Sequence, residues 1–259
     1  MRVHVFASGS SGNCLLLENE ETKLLIDAGI SKRRVEAALN QLEYAMKEIG
    51  GVLITHEHSD HISGLEALAK TGLPIYAPRT VAARILGAKP ALDGCVQIIP
   101  VGEQFSLGSL QVLAFHTSHD TDESVGYRLE GDGIYAHATD TGCITEEMRD
   151  ALLGADTVLL ESNHDEEMLR YGPYPVYLKR RILSDHGHLS NAACAAFARE
   201  LAASGTGRII LGHLSRENNT PGKAMAETGR VLLGSKTELY CAPVMGLLTV
   251  EVEGKRCCV

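Results

Sequence analysis

Residues 51–61 read GVLITHEHSDH, an apolar run that stops at Thr55 and passes straight into His56, His58, Asp60 and His61. An uninterrupted apolar stretch of this kind suits a strand buried on both faces. The polar residues then sit at the strand's exit. Imidazole and carboxylate groups are ligands for zinc, manganese and iron. In extended or looping backbone His56 and His58 can point the same way. A turn through Ser59 brings Asp60 and His61 toward a second point about 3.5–4 Å away, a common spacing for paired metal ions. A polar loop that merely happens to hold histidines would not be expected to be so dense or so ordered.

One loop cannot saturate two ions, so further ligands are expected at other strand exits. His119 follows a strand in HTSHDTDES, Asp140 ends one in TDTG, and His213 ends one in IILGHLS. His116 competes with His119 inside one loop, and His119 is preferred because it lies further from the apolar strand. Taken singly, Asp140 could cap a turn and His213 could be a buried histidine satisfied by backbone. Taken with the first motif, they fill a two-metal inventory.

The element pattern repeats along the chain. Strands at 3–7 and 13–18 flank the turn Ser8–Gly12, and 22–27 forms a strand ending in Asp27-Ala28-Gly29. Ser31 reads as the cap of a helix over 32–47. Then come the buried strand before His56, a helix over 62–71, a strand at PIYAP and a helix near 79–87. The second half is read as strands at 96–101 and 110–115, a hairpin ending in Asp140-Thr141-Gly142, a helix after the cap Thr145, and the buried strand of DTVLLESNHD. LLIDAG pairs with YAHATDTG, and GVLITHEHSD with DTVLLESNHD. Helices at 190–203 and 221–233 and strands at GRIILGH, 238–241 and 246–252 complete the reading. Two similar halves, each a sheet covered by helices, predict a single α/β domain over 1–259 with four layers and its polar loops along one edge.

Composition limits the partners. A net charge of −9 gives no general attraction to nucleic acid, although a local basic patch beside bound cations could still hold an anionic substrate. The seven cysteines (Cys14, Cys95, Cys143, Cys194, Cys241, Cys257 and Cys258) form no C-x-x-C pair and are odd in number. That argues against a disulfide framework, a disulfide-linked partner or a cysteine zinc site, and a reduced, cytoplasmic setting is expected. Neither a signal peptide nor a membrane-spanning stretch is legible.

H-x-H-x-D-H, the Asp of TDTG and the late strand-end histidine resemble the motifs of the metallo-β-lactamase superfamily, over nearly the whole chain. The resemblance implies its four-layer αββα sandwich. It also implies His56, His58 and His119 on one metal, Asp60, His61 and His213 on the other, Asp140 between them, and Asp27 as a structural support of the metal loop. ASGSSGN, YPVYLKRRILSDHGHLSN and LGHLSRENNTP are similar to the YycJ/WalJ group of that superfamily, described as metal-dependent 5′-to-3′ DNA exonucleases. HLS at 188–190 and GHLS also resemble the phosphodiesterase branch that includes ribonuclease Z, where the residue matching His188 lies near the scissile phosphate as proton donor or charge stabiliser. No insertion between Asp140 and His213 is long enough for the cap domain of the larger nucleases.

The expected chemistry is hydrolysis of a phosphodiester, DNA above all, with two divalent ions (Mn²⁺ or Zn²⁺, or else Fe). Asp60 would orient the attacking water and His188 would protonate the leaving oxygen. His188 could instead be a neighbour of the helix cap at Ser190. Candidate substrate contacts are Ser10 and Asn13 in the Gly-rich turn, His164 in ESNHD, Arg181 in the run Lys179–Arg181, and Arg216. Lys32–Arg34 reads as a solvated helix face. Two other readings are kept: a hydrolase of a small phosphodiester or thioester, and a non-catalytic metal-binding regulatory protein.

Overall fold

The computed structural model describes residues 1–253. The first half runs β1 (Arg2–Ala7), β2 (Cys14–Glu18), β3 (Lys23–Ile26), α1 (Lys32–Gln41), β4 (Gly51–Leu53), α2 (Ser59–Ile62), α3 (Leu65–Ala69), β5 (Ile75–Ala77), α4 (Arg79–Ala88) and β6 (Val96–Ile98). The second runs β7 (Gln104–Leu107), β8 (Leu110–His116), β9 (Val125–Glu130), β10 (Ile134–Ala138), α5 (Glu146–Leu152), β11 (Thr157–Glu161), α6 (Glu166–Tyr171), α7 (Val176–Ile182), α8 (Asn191–Ser204), β12 (Arg208–Gly212), α9 (Pro221–Val231) and β13 (Glu238–Cys241). A last strand, β14 (Leu248–Glu251), returns to the first half.

Two seven-stranded sheets result, ordered β14-β1-β2-β3-β4-β5-β6 and β13-β12-β11-β10-β9-β8-β7. In the first, β14, β1, β2 and β3 pair antiparallel and β3 to β6 pair parallel. In the second, β7 to β10 pair antiparallel and β10 to β13 pair parallel. The repeat seen in the sequence is therefore a repeat of topology. One strand differs in origin: the place of β7 is taken in the first sheet by β14.

The strands carry apolar residues on both faces, and the period of two sends alternate residues to different cores. Val3, Val5, Leu15, Leu17, Leu24 and Ile26 meet Val112, Tyr127, Leu129 and Tyr135 between the sheets. Phe6, Leu16, Leu25, Val52 and Ile54 face α1, α3 and α4. Ala136, Val158, Leu160, Ile209 and Leu211 face α5, α8 and α9. Three cores between four layers make the expected αββα sandwich.

Several elements depart from the sequence reading. The helix expected over 32–47 stops at Gln41, because Glu43 turns left-handed at φ 62° and Tyr44 N–H bonds back to Leu39 O. Ser31 precedes it without a side-chain cap bond. The helix expected over 62–71 is two short helices broken at Ser63–Gly64. Gly64 sits there because a Cβ would lie 2.0 Å from Ile30 O. The strand at 96–98 closes the first sheet and does not open the second half. β7, α6 and α7 were not anticipated. Lys179, which opens the basic run ending in Arg181, donates to the carbonyls of Arg170 and Gly172 and so fastens α7 to the end of α6. Lys32 pairs with Glu36 one turn on, as a solvated face would. Five cysteines are unpaired, while Cys257 and Cys258 lie outside the described residues. No helix among the described residues is long and apolar enough to cross a membrane.

The turn after β3 receives the loop after β4 closely: a Cβ on Gly29 would lie 1.6 Å from Asp60 O. Gly29→Ala is therefore expected to cost at least the roughly 1–3 kcal/mol typical of overpacking. Gly87→Ala, where a Cβ meets nothing in a helix, should stabilise by about 0.5–1 kcal/mol. Thermal denaturation of both variants checks this, and an unchanged midpoint for Gly29→Ala would refute it.

Candidate metal centre

Three residues at strand exits share an unusual backbone. Asp27 after β3, Asp140 after β10 and His213 after β12 have φ of 60°, 57° and 54°. Left-handed φ is uncommon for residues other than glycine and persists where surroundings over-determine it. Here it turns each side chain off the sheet edge and into one place.

Asp27 anchors the loop after β4. Its Oδ1 accepts from Thr55 N–H at 2.9 Å, the Thr55 hydroxyl donates to it, and Oδ2 accepts from His61 Nδ1–H at 2.7 Å. A carboxylate can only accept, so this bond places the His61 proton on Nδ1 and turns Nε2 toward the cluster. His119 is oriented likewise: its Nδ1–H donates to Gly187 O at 3.1 Å, leaving Nε2 facing inward. Burial pushes His56 well below the usual imidazole range and lowers His119, so both favour the neutral form that coordinates metals. Burial opposes charge on His61 too, but Asp27 and Asp140 outweigh it and hold its pKa well above the usual value. A site whose carboxylates call for positive charge at His61 is suited to a cation.

Four overlapping sets of possible ligands occur, two of them through Asp140 itself (with His56 and His61, and with Glu161, His188 and His213), and the other two match the expected groups. Donor atoms of His56, His58 and His119 lie within 4.8 Å of one another, as do those of Asp60, His61 and His213. Asp140 faces both. Its Oδ1 is 3.7 Å from His119 Nε2, and its Oδ2 is 3.2 Å from His61 Nε2 and 2.8 Å from His213 Nδ1. Burial alone would disfavour its charge, yet His213 and His61 hold its pKa well below the carboxylate range. His56 Nε2, Asp140 Oδ2 and His213 Nδ1 are buried and make no hydrogen bond of acceptable geometry. Buried polar atoms are normally paired. Unpaired nitrogens and oxygens converging on two points are a donor set that fits two divalent ions.

Two further groups complete the wall. Glu161, at the end of β11 and fully buried, accepts from Thr141 N–H at 2.8 Å through Oε2 and from His188 Nδ1–H at 2.7 Å through Oε1. Burial works against protonation of His188, but Glu161 and Asp140 push its pKa up to about 9. Its ring centroid lies 5.1 Å from that of His119 and 5.3 Å from that of His213, and 21% of the side chain stays exposed. Glu161 escaped the sequence reading; its signal is a lone carboxylate closing the apolar run TVLLE. Ser8 was passed over as well. Its buried hydroxyl accepts from His213 N–H at 2.8 Å and so steadies the left-handed turn.

The other expected contacts are sorted by the structure. Asn13 reaches the cluster, with Nδ2 3.3 Å from Asp60 Oδ2 and 3.0 Å from His61 Nε2, while Ser10 points to solvent on the turn. Arg181 pairs with Asp120, whose Oδ1 is 3.2 Å from His119 Nε2. Arg216 is exposed beyond His213 and makes no ion pair among the described residues. His164 is 1% exposed with both ring nitrogens enclosed, so in this conformation it cannot touch substrate as expected. His116 lies outside the cluster, beside Glu147 and Glu123.

Comparison with known proteins bears on the family and the fold. The model of the beta-lactamase superfamily domain matches residues 22–214. The chain is 40% identical over 235 residues to the exodeoxyribonuclease YycJ of Bacillus anthracis, with 88% of each chain covered. It is 39% identical over 220 residues to the exodeoxyribonuclease WalJ of Streptococcus pneumoniae, covering 83% of this chain and 82% of that one. Among solved structures, the Zn(2+)-bound PqqB from Methylobacterium extorquens has the same fold, with a TM-score of 0.72 over 97% of this chain and 100% of that chain at 19% identity.

Asp27 contributes no donor to the candidate ligand groups, yet it orients His61. Asp27→Ala is expected to weaken divalent-ion affinity about 10–100-fold. Titration with Zn²⁺ and Mn²⁺ by calorimetry would measure it, and wild-type affinity in a folded variant would contradict the role given to Asp27.

Proposed function

The chain belongs to the beta-lactamase superfamily, and we propose that its histidine–aspartate cluster is the centre of a metal-dependent hydrolase that cuts phosphodiester bonds in DNA, as a 5′-to-3′ exonuclease on double strands. Similarity to two exodeoxyribonucleases over most of their lengths supports the substrate class. The observation that carries the reaction type is His188. It is a partly exposed imidazole, kept protonated by buried Glu161 and set at the rim of the cluster. A phosphodiester has an alkoxide leaving group that needs such a proton.

The residues then take these roles. His56, His58 and His119 hold one divalent ion, Asp60, His61 and His213 a second, and Asp140 faces both. Mn²⁺ or Zn²⁺ suits this mixture of imidazole and carboxylate, with iron the remaining candidate. Such a pair, when bound, supplies charge stabilisation for the phosphoryl oxygens and a water of lowered pKa. Asp60 would orient the attacking water. His188 Nε2–H gives its proton to the departing oxygen while Glu161 stabilises the imidazolium. The Nδ2 of Asn13 and the guanidinium of Arg181 would bind phosphate, with Ser10 and Arg216 contacting the substrate further out. A reducing, cytoplasmic setting is part of the same proposal, in keeping with five unpaired cysteines among the described residues.

Wild-type protein with Mn²⁺ is expected to shorten end-labelled duplex DNA progressively, and a chelator, Asp60→Ala or His61→Ala should abolish this. His188→Ala should lower turnover about 10²–10⁴-fold while leaving metal content unchanged. Intact DNA together with metal-dependent cleavage of bis(p-nitrophenyl) phosphate would remove DNA as the substrate. Tight metal binding with no ester cleaved would favour the regulatory reading.

A further inference from the structure

Of the eight exposed large apolar residues among the described residues, four, Tyr171, Val176, Tyr177 and Leu183, fall on α6, α7 and the residue after α7. The two aromatics among the exposed set are both here: Tyr171 is 81% exposed and Tyr177 is 75% exposed. Isolated exposed apolar residues are ordinary. What distinguishes this group is its company. Tyr177 and Arg181 are four residues apart on α7, so they are neighbours on one helical face, roughly 5–6 Å apart at Cβ. Arg180, also exposed, is three residues from Tyr177. The last turn of α7 is bound to the metal centre in three ways. Arg181 pairs with Asp120 beside His119, His188 N–H donates to Ile182 O, and Gly187, whose carbonyl orients His119, packs against the Arg181 and Ile182 carbonyls. The two bonds from Lys179 hold the end of α6 against the same helix.

We propose that α6 and α7 form a base-stacking platform, on which Tyr177 receives an unpaired base of a nucleic-acid strand whose phosphates run past Arg180 and Arg181 into the metal centre. This rests on the phosphodiesterase reading above and goes beyond it, because it places the substrate strand on a surface of the protein. The argument is chemical. Exposed aromatic faces interleaved with cations bind single strands, since every base offers a π-face and every linkage a charge. A base inside a duplex offers only its edge, so the occupant is a single-stranded or frayed end.

The chain contains no tryptophan, so Tyr177→Trp in the full-length protein introduces a lone fluorophore. A single-stranded phosphorothioate oligonucleotide, which resists cleavage, is expected to quench it strongly. An abasic oligonucleotide of equal charge should quench it far less. The same oligonucleotide should leave Leu233→Trp, an exposed position after α9, unchanged. Tyr177→Ala should raise KM for a single-stranded substrate about 5–100-fold, Tyr177→Phe should restore it, and cleavage of bis(p-nitrophenyl) phosphate should be unaltered in both. Fluorescence of Tyr177→Trp that stays constant while the oligonucleotide inhibits bis(p-nitrophenyl) phosphate cleavage would overturn the platform, as would equal quenching by the abasic strand. Failure to cleave any phosphodiester would instead overturn the function proposed above, and the quenching comparison would still decide the platform.

Discussion

A buried negative charge is costly unless donors surround it, and Asp27 shows what this protein obtains by meeting that requirement. Its carboxylate collects the Thr55 amide and hydroxyl and the His61 ring. Those groups belong to the exit of the neighbouring strand, so neutralising Asp27 shapes the loop that carries His56, His58, Asp60 and His61. The close fit of Gly29 against Asp60 O adds a steric stop to the electrostatic one. Metal chemistry at this edge therefore depends on a residue that contributes no donor to either candidate ligand group.

The second half uses the same backbone device with different side chains. Asp140 has the left-handed φ of Asp27, but it turns its carboxylate toward the histidines of both groups. The strand-end carboxylate there is Glu161, one strand over, and it bonds Thr141 and His188. Duplicated topology thus leaves two buried acids at matching sheet edges with divided tasks. One orients a candidate metal-binding histidine, and the other keeps a rim histidine charged.

Much of this could be read from the sequence because it is local. An apolar run ending in H-x-H-x-D-H shows both its strand and its chemistry, and the two Asp-x-Gly endings reveal the repeat. His119 was separable from His116 by its distance from the strand, and the structure seats the former in the cluster and the latter among surface carboxylates. What escaped depends on groups far apart in the chain. Glu161 becomes a partner of His188 only when the loop after α7 folds beneath it, and Ser8 meets His213 across 205 residues. His164 sits in the motif copy that looked most like the first, yet packing encloses it. Sequence position could not distinguish Lys179 from Arg181, because what separates them is which neighbour each side chain finds.

The strand exchange between the halves has a bearing on how the chain reaches this structure. β1 has β2 on one side from the start, but its other edge is completed only by β14, and Met1 bonds to Val252 across 251 residues. Until that late segment arrives, the first sheet presents an open row of backbone donors and acceptors, the kind of edge that recruits stray strands. The fold is therefore closed by its most distant contact, which favours slow, all-together assembly over sequential completion of halves. An N-terminal half synthesised alone would carry four residues of the metal loop and no means of sealing the sheet that positions them.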